Sequence, residues 1–170
     1  GEDSSVLVHL TLVPFLETVG EQKTKPTQHS VKELREAGLS PDMIVGRSDD
    51  SLEDETKDKI ALFCDVDESD VISDPDIENI YRLPLIMAEE DADQRIADKL
   101  GLPGDRDIAA WQDLVHNMDE PDETVKIAIC GKYTDIDDSY VSVEEALRHA
   151  GAHESARIET ELIDTEAIED

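Results

Sequence analysis

Residues 21–32 read EQKTKPTQHSVK. Lys23 and Lys25 flank Thr24, Pro26 stiffens the loop, and Thr27 and Gln28 add a hydroxyl and an amide. From Gln22 to Lys32 there is no acid. Ser30 and Glu33 have the spacing of a capping box, which predicts a helix from Val31 that stops before Gly38. Its first free N–H groups would then lie near Val31 and Lys32. A helix start carries unpaired donors and roughly half a positive charge, and phosphates bind there readily. A lysine–phosphate contact at about 4 Å contributes roughly 1 to 4 kcal/mol before desolvation, at high to intermediate dielectric. The set suits a polyphosphate, with Gln28 and the threonines placed to read a base edge or a sugar. A solvated loop before a capped helix would use the same residues.

The rest of the chain makes that patch unusual. Its 170 residues carry 44 Asp and Glu against 15 Lys and Arg, a formal net charge of -29. Such a surface repels nucleic acid and anionic membranes, so neither is expected as a partner. The acids are spread along the whole length, which reads as adaptation to a salt-rich cytoplasm such as that of a halophilic archaeon. An acidic interaction surface or a nucleic-acid mimic is the other reading. At about 1 M salt the Debye length is roughly 3 Å. Distant carboxylates then barely oppose an anion, and only cations in contact with it count.

The elements that must position the patch alternate. Residues 6–13 read as a buried strand ended by Pro14, with a loop to Gln28 and then the helix from Val31. Residues 43–46 form a short apolar strand, and Ser51–Asp54 opens a helix through Phe63. Residues 71–73 are strand-like. From Ile77 the pattern is helical, with a break or kink at Pro84. Residues 103–123 read as a linker holding a helical turn or two. Beyond it, 125–130 is a strand, 131–140 a loop, 142–151 a helix with Ser142 and Glu145 as its box and Gly151 as its stop, and 157–164 an alternating strand. Strand–helix alternation of this kind predicts an α/β fold with parallel strands.

Longer stretches narrow the reading. VHLTLVPFLETVGEQKTKPTQHSVKELREAGLSPDMIVGRSD, KIALFCDV, VISDPDIENIY and VKIAICGKYTDIDDSYVSVEEALRHAG together closely resemble the CTP synthase family, over nearly the whole chain. The resemblance implies a ligase that aminates UTP to CTP in the last step of de novo synthesis. ATP phosphorylates the uracil O4, and ammonia from glutamine displaces that phosphate. It also implies an architecture: residues 1–102 as the C-terminal part of a P-loop-like amidoligase domain akin to dethiobiotin synthetase, 103–123 as a linker, and 124–170 as the first βαβ of a flavodoxin-like class I glutaminase domain. Carried over residue by residue, Lys23, Thr24, Lys25, Pro26, Thr27, Gln28 and Lys59 match the family's UTP site, which the feedback inhibitor CTP shares, at a subunit interface of a homotetramer. Arg47, Pro75, Asp76 and Ile77 match residues beside ATP. A lysine is common in the family where Pro75 stands, and proline removes both a cation and an N–H. Gly131, Lys132 and Tyr133 match a segment near the ammonia route and the site of GTP, the expected allosteric activator. From the residues alone, Lys59 is equally a helix-surface lysine, Arg47 an ion-pair partner of Asp49 or Asp50, and Gly131 a turn.

Other residues carry less. His9 lies inside a strand and reads as a packed or hydrogen-bonded side chain. His116, His149 and His153 share no metal-ligand spacing, and the acids of 65–70 lack the glycine and distal glutamate of a calcium loop. Cys64 and Cys130 follow apolar runs and read as free buried thiols. No signal peptide or apolar run of membrane-spanning length is present, so the protein reads as cytoplasmic. There is no G-x-x-x-x-G-K-[ST] loop. On the resemblance, the acids that bind Mg2+ are expected upstream of Gly1 and the glutaminase Cys, His and Glu downstream of Asp170. The 170 residues alone are then expected to be inactive. A non-catalytic nucleotide-binding or regulatory module with the same fold is the alternative.

Overall fold

A computed structural model describes residues 5–104, 106–136 and 138–166. Asp105 and Asp137, inside stretches read as turn and loop, lie outside the described residues. The chain forms two compact units, 1–107 and 108–170. The α/β class expected from the alternation is present in both, with parallel sheets throughout the larger pairings.

In the first unit β1 (Val8–Leu12), β4 (Met43–Ser48) and β5 (Val71–Pro75) make a parallel sheet in the order β1-β4-β5. Register puts Leu10 beside Val45 and Val45 beside Ile72. Helices α1 (Lys25–Glu36) and α2 (Asp54–Cys64) cover one face, where Val13, Val31, Ile44, Ile60, Cys64 and Val71 form a core. The other face packs Met43, Val45 and Ile72 against Ala92, with Met87 and Ile96 alongside. Those residues come from α3 (Leu83–Glu89) and α4 (Ala92–Leu100). β1 is not the buried strand expected: His9 and Thr11 are partly covered, while Val8, Leu10 and Leu12 are exposed. Gly46 has a packing reason, since a Cβ there would meet Leu52 Cδ1 at 2.7 Å.

Several expected boundaries move. The loop after Pro14 contains a small antiparallel hairpin, β2 (Phe15–Leu16) with β3 (Glu21–Gln22), turned at Gly20 with φ +68°. Helix α1 begins at Lys25, not Val31. Pro26 is its second residue, where no N–H is needed and the fixed φ already suits a helix. Ser30 is therefore no cap, and Glu33 pairs with His29 instead. Helix α2 starts at Asp54 with Glu53 at its cap position rather than Ser51. Pro84 does not break its helix either. It is the second residue of α3, and the break falls at Glu90–Asp91, where Asp91 takes φ 57°.

The second unit pairs β6 (Glu123–Gly131) with β7 (Ala156–Asp164) in parallel, joined through α6 (Val141–His153). Helix α5 (Ala109–Asp119) is three turns long, more than the turn or two expected, and Asn117 Nδ2 donates to the Ala152 carbonyl of α6 at 2.9 Å. Gly151 is inside α6 and stops nothing. It lets the helix lie on β7, because a Cβ would collide with the Ala156 carbonyl and Ile158. Cys64 is buried as expected, and burial pushes its thiol pKa up; Cys130 is exposed, contrary to expectation.

Candidate functional site

The first turn of α1 gathers the acid-free residues. Thr24 stands at the cap position, but its side chain does not cap the helix. Its hydroxyl accepts from Gln28 Nε2 at 3.0 Å. Thr27 is fully buried, and its Oγ1 donates to the Leu12 carbonyl at 3.4 Å. The Thr27 side chain thus faces the sheet. Lys25, Pro26 and His29 are exposed, and Gln28 is half-buried. With Pro26 lacking an N–H and the Gln28 N–H already bonded to the Thr24 carbonyl at 3.0 Å, the unbonded donors of the turn belong to Lys25 and Thr27. They lie a turn and a half earlier than the capping pattern predicts.

Two cations flank this turn, each with an acid. Lys23 Nζ donates to Glu21 Oε2 at 2.6 Å, and Lys59 Nζ to Glu55 Oε1 at 2.6 Å. The hydrogen bond from Lys23, and then its charge, hold the Glu21 carboxyl below the usual range, with a smaller pull from Lys59. The hydrogen bond to Glu55 raises the Lys59 pKa, and the charges of Glu55, Glu21 and Glu53 add to it. Lys59 and Lys23 therefore both act on the Glu21 carboxylate, Lys59 the more weakly. Lys25 differs. Of the eight lysines in the chain, it alone has no carboxylate within ion-pair distance among the described residues.

Sequence reasoning missed the residue that joins the two helix starts. Gln22 Nε2 donates to the Ser51 carbonyl at 3.0 Å, and the Glu53 N–H donates to Gln22 Oε1 at 3.0 Å. Its amide acts as a short strand rung across roughly thirty residues of chain. No local pattern carries such a contact.

Arg47 lies at the end of β4 and pairs with Asp74 Oδ1 at 3.0 Å and with Asp76, not with Asp49 or Asp50. It also reaches the Pro75 carbonyl at 3.4 Å. The structure thus brings Arg47, Pro75 and Asp76 together, with half-buried Ile77 next in sequence. Pro75 ends β5, beside Ser48 in register, so its missing N–H breaks no internal ladder. The Asp76 N–H is already taken by the Ser48 carbonyl at 3.0 Å.

In the second unit Gly131 closes β6, and a Cβ there would collide with the Tyr140 ring. The Tyr140 hydroxyl donates to the Lys132 carbonyl at 2.7 Å, and Lys132 Nζ pairs with Glu166 at 2.6 Å. Tyr133 comes next with φ 60° and an exposed ring. This is a tightly held turn in which Lys132 is already neutralised. Among the described residues no group of His, Cys, Asp and Glu could hold a metal ion, and no helix is long and apolar enough to cross a membrane.

Comparison with known proteins agrees along the whole chain. Residues 1–102 match the family model described as CTP synthase N-terminus. The CTP synthase of Carboxydothermus hydrogenoformans is 48% identical over 170 residues, which is 99% of this chain and 32% of that protein. That of Archaeoglobus fulgidus is 49% identical over 168 residues, 99% of this chain and 31% of that protein. The chain spans about a third of the length of these relatives. It belongs to the CTP synthase family.

Proposed function

We propose that this chain is the part of a CTP synthase that grips the triphosphate of UTP, and of CTP in an overlapping pose. Lys25, at the first position of α1, supplies the principal cation. Lys23 and Lys59 supply further charge once the ligand draws them from Glu21 and Glu55. Gln28, tethered through Thr24, reads the nucleotide, while Thr27 and Pro26 build the turn. Arg47, Pro75, Asp76 and Ile77 form one wall of the ATP site. There the Asp76 N–H is engaged by Ser48 and the Pro75 carbonyl by Arg47, so contact with ATP would come from the exposed parts of Arg47, Asp76 and Ile77.

In the whole protein, UTP O4 takes the γ-phosphoryl group of ATP. Ammonia from glutamine then adds at C4, and inorganic phosphate leaves to give CTP. Residues 1–102 belong to the amidoligase domain, 103–123 to a linker and 124–170 to the start of a glutaminase domain. The Gly131–Tyr133 turn lies near the GTP effector route. The protein works in the cytoplasm as a homotetramer. Mg2+ would neutralise the ATP phosphates, with ligands expected from other parts of the polypeptide.

The observation that carries this reading is Lys25: an exposed ammonium, without an acid among the described residues, at a helix start, in a protein of net charge -29. A helix start and an exposed ammonium both favour an anion, and an anionic ligand would complete the site. Lys25→Ala, made in a polypeptide of the relatives' full length, should raise the KM for UTP by about thirtyfold and weaken CTP inhibition in step, from a lost contact of about 2 kcal/mol. Unchanged values for both nucleotides would overturn the assignment.

A further inference from the structure

Several of the contacts that seat α1 on the β1 segment are polar. Thr27 Oγ1 donates to the Leu12 carbonyl at 3.4 Å, and Thr11 Oγ1 donates to Thr27 Oγ1 at 3.4 Å. Ser30 Oγ lies 3.2 Å from the Thr27 carbonyl oxygen. His9 Nε2 lies 2.8 Å from Ser30 Oγ. A hydroxyl has one proton. Ser30 can give its proton to the Thr27 carbonyl and accept from His9 Nε2, or give it to His9 Nε2; the imidazole tautomer sets the direction, and either way the two side chains are hydrogen-bonded. The shortest of these contacts is the histidine's.

The apolar part of this seat is thin. Only Val31 and Thr27 of α1 are buried. Apolar contact has no preferred direction, and one valine does not fix how a helix is turned about its axis. A satisfied polar network does. Residues 27, 30 and 31 face the sheet, and 25, 28, 29 and 32 share the opposite side of the same turns. Any rotation that frees Ser30 from His9 therefore swings Lys25 and Gln28 away from where they now point.

We propose that His9 is a positioning residue for the nucleotide site, setting the rotation of α1 through Ser30 and thereby aiming Lys25 and Gln28. The inference rests on the reading of Lys25 as a triphosphate ligand.

The test compares His9→Leu, His9→Gln, Thr11→Val and Lys25→Ala in the full-length polypeptide, reading KM for UTP, KM for ATP and kcat. His9→Leu should raise KM for UTP about tenfold, with KM for ATP and kcat within about twofold of the parent, the scale of one lost aligned hydrogen bond. His9→Gln keeps a donor and an acceptor at a similar reach and should bring KM for UTP back to within about threefold. An unchanged KM for UTP in His9→Leu, parallel rises for UTP and ATP, or no rescue by His9→Gln would each overturn the inference. If His9→Leu does not fold, Thr11→Val decides it. That variant keeps the side-chain shape and should give a selective rise of about threefold for UTP; its absence sinks the proposal. A rise with Lys25→Ala but none with His9→Leu defeats the positioning role alone. No rise with Lys25→Ala defeats the phosphate reading beneath it.

Discussion

At the carboxyl end of the three-stranded sheet two helices begin, α1 at Lys25 and α2 at Asp54, linked by the side chain of Gln22. They start on the same core and differ in charge. The first turn of α2 carries Asp54 and Glu55, which answer its dipole from within, and Glu55 also holds Lys59. The first turn of α1 has no acid and opens on a lysine that has no acidic partner among the described residues. A helix start with a purely structural task is finished by its own residues. One that is left positive at its tip, in so acidic a chain, suits the anionic ligand proposed for it. The seating differs likewise: α2 buries Ile60, Ala61 and Cys64, whereas α1 buries Val31 and relies on hydroxyls and a histidine.

The contrast can be broken by giving α1 an acid like that of α2. Gln28→Glu should raise KM for UTP by about thirtyfold or more, since a carboxylate at this range opposes the triphosphate by roughly 1 to 4 kcal/mol. The same change should leave the fold intact or stabilise it by about 0.3–1 kcal/mol, as acids do at helix starts. Opposite signs in the two measurements support the contrast, and a loss of both would mean that the turn was structural. Next in size is Lys59→Ala. Because Glu55 already neutralises this ammonium, KM for UTP should rise only about threefold, well short of the effect of Lys25→Ala. Equal effects would erase the distinction between paired and unpaired lysines.

The smallest effect belongs to Glu21→Gln, which releases Lys23. KM for UTP should fall by about twofold, as screened surface charge allows. The pH dependence has a definite sign. The Glu21 carboxyl is held below its usual range by Lys23. Its pairing therefore contributes in full above the pKa of an unfolded glutamate and is lost as pH falls through the lower folded value. Melting curves of parent and variant should differ above that window and converge below it.

Much of this was legible in the residues. The acid-free stretch, the strand–helix alternation and the family likeness all stand in the linear chain. The start of α1 was not, because Pro26 reads as loop chemistry although a helix accepts proline in its first turn. Ser30 and Glu33 matched a capping pattern by spacing alone, but with α1 starting at Lys25 both lie inside the helix. Gly151 looked like a terminator and is a contact point, a difference that depends on β7 lying against it. Arg47 reaches acids 27 and 29 residues away because β4 and β5 are in register, and register cannot be read from neighbours in sequence. The two-residue strands of the hairpin are too short to leave any periodicity.

One detail at the far side of the sheet has a reach beyond the nucleotide. The outward N–H of Ser73 on β5 is bonded to Glu90 Oε2 at 2.8 Å, and Lys57 grips the other oxygen at 2.9 Å. A single carboxylate stands there in place of a neighbouring strand. A foreign peptide trying to extend the ladder at that rung would have to evict a paired ion first. At that rung, edge-to-edge pairing is opposed by the same residue type that the chain holds in such excess.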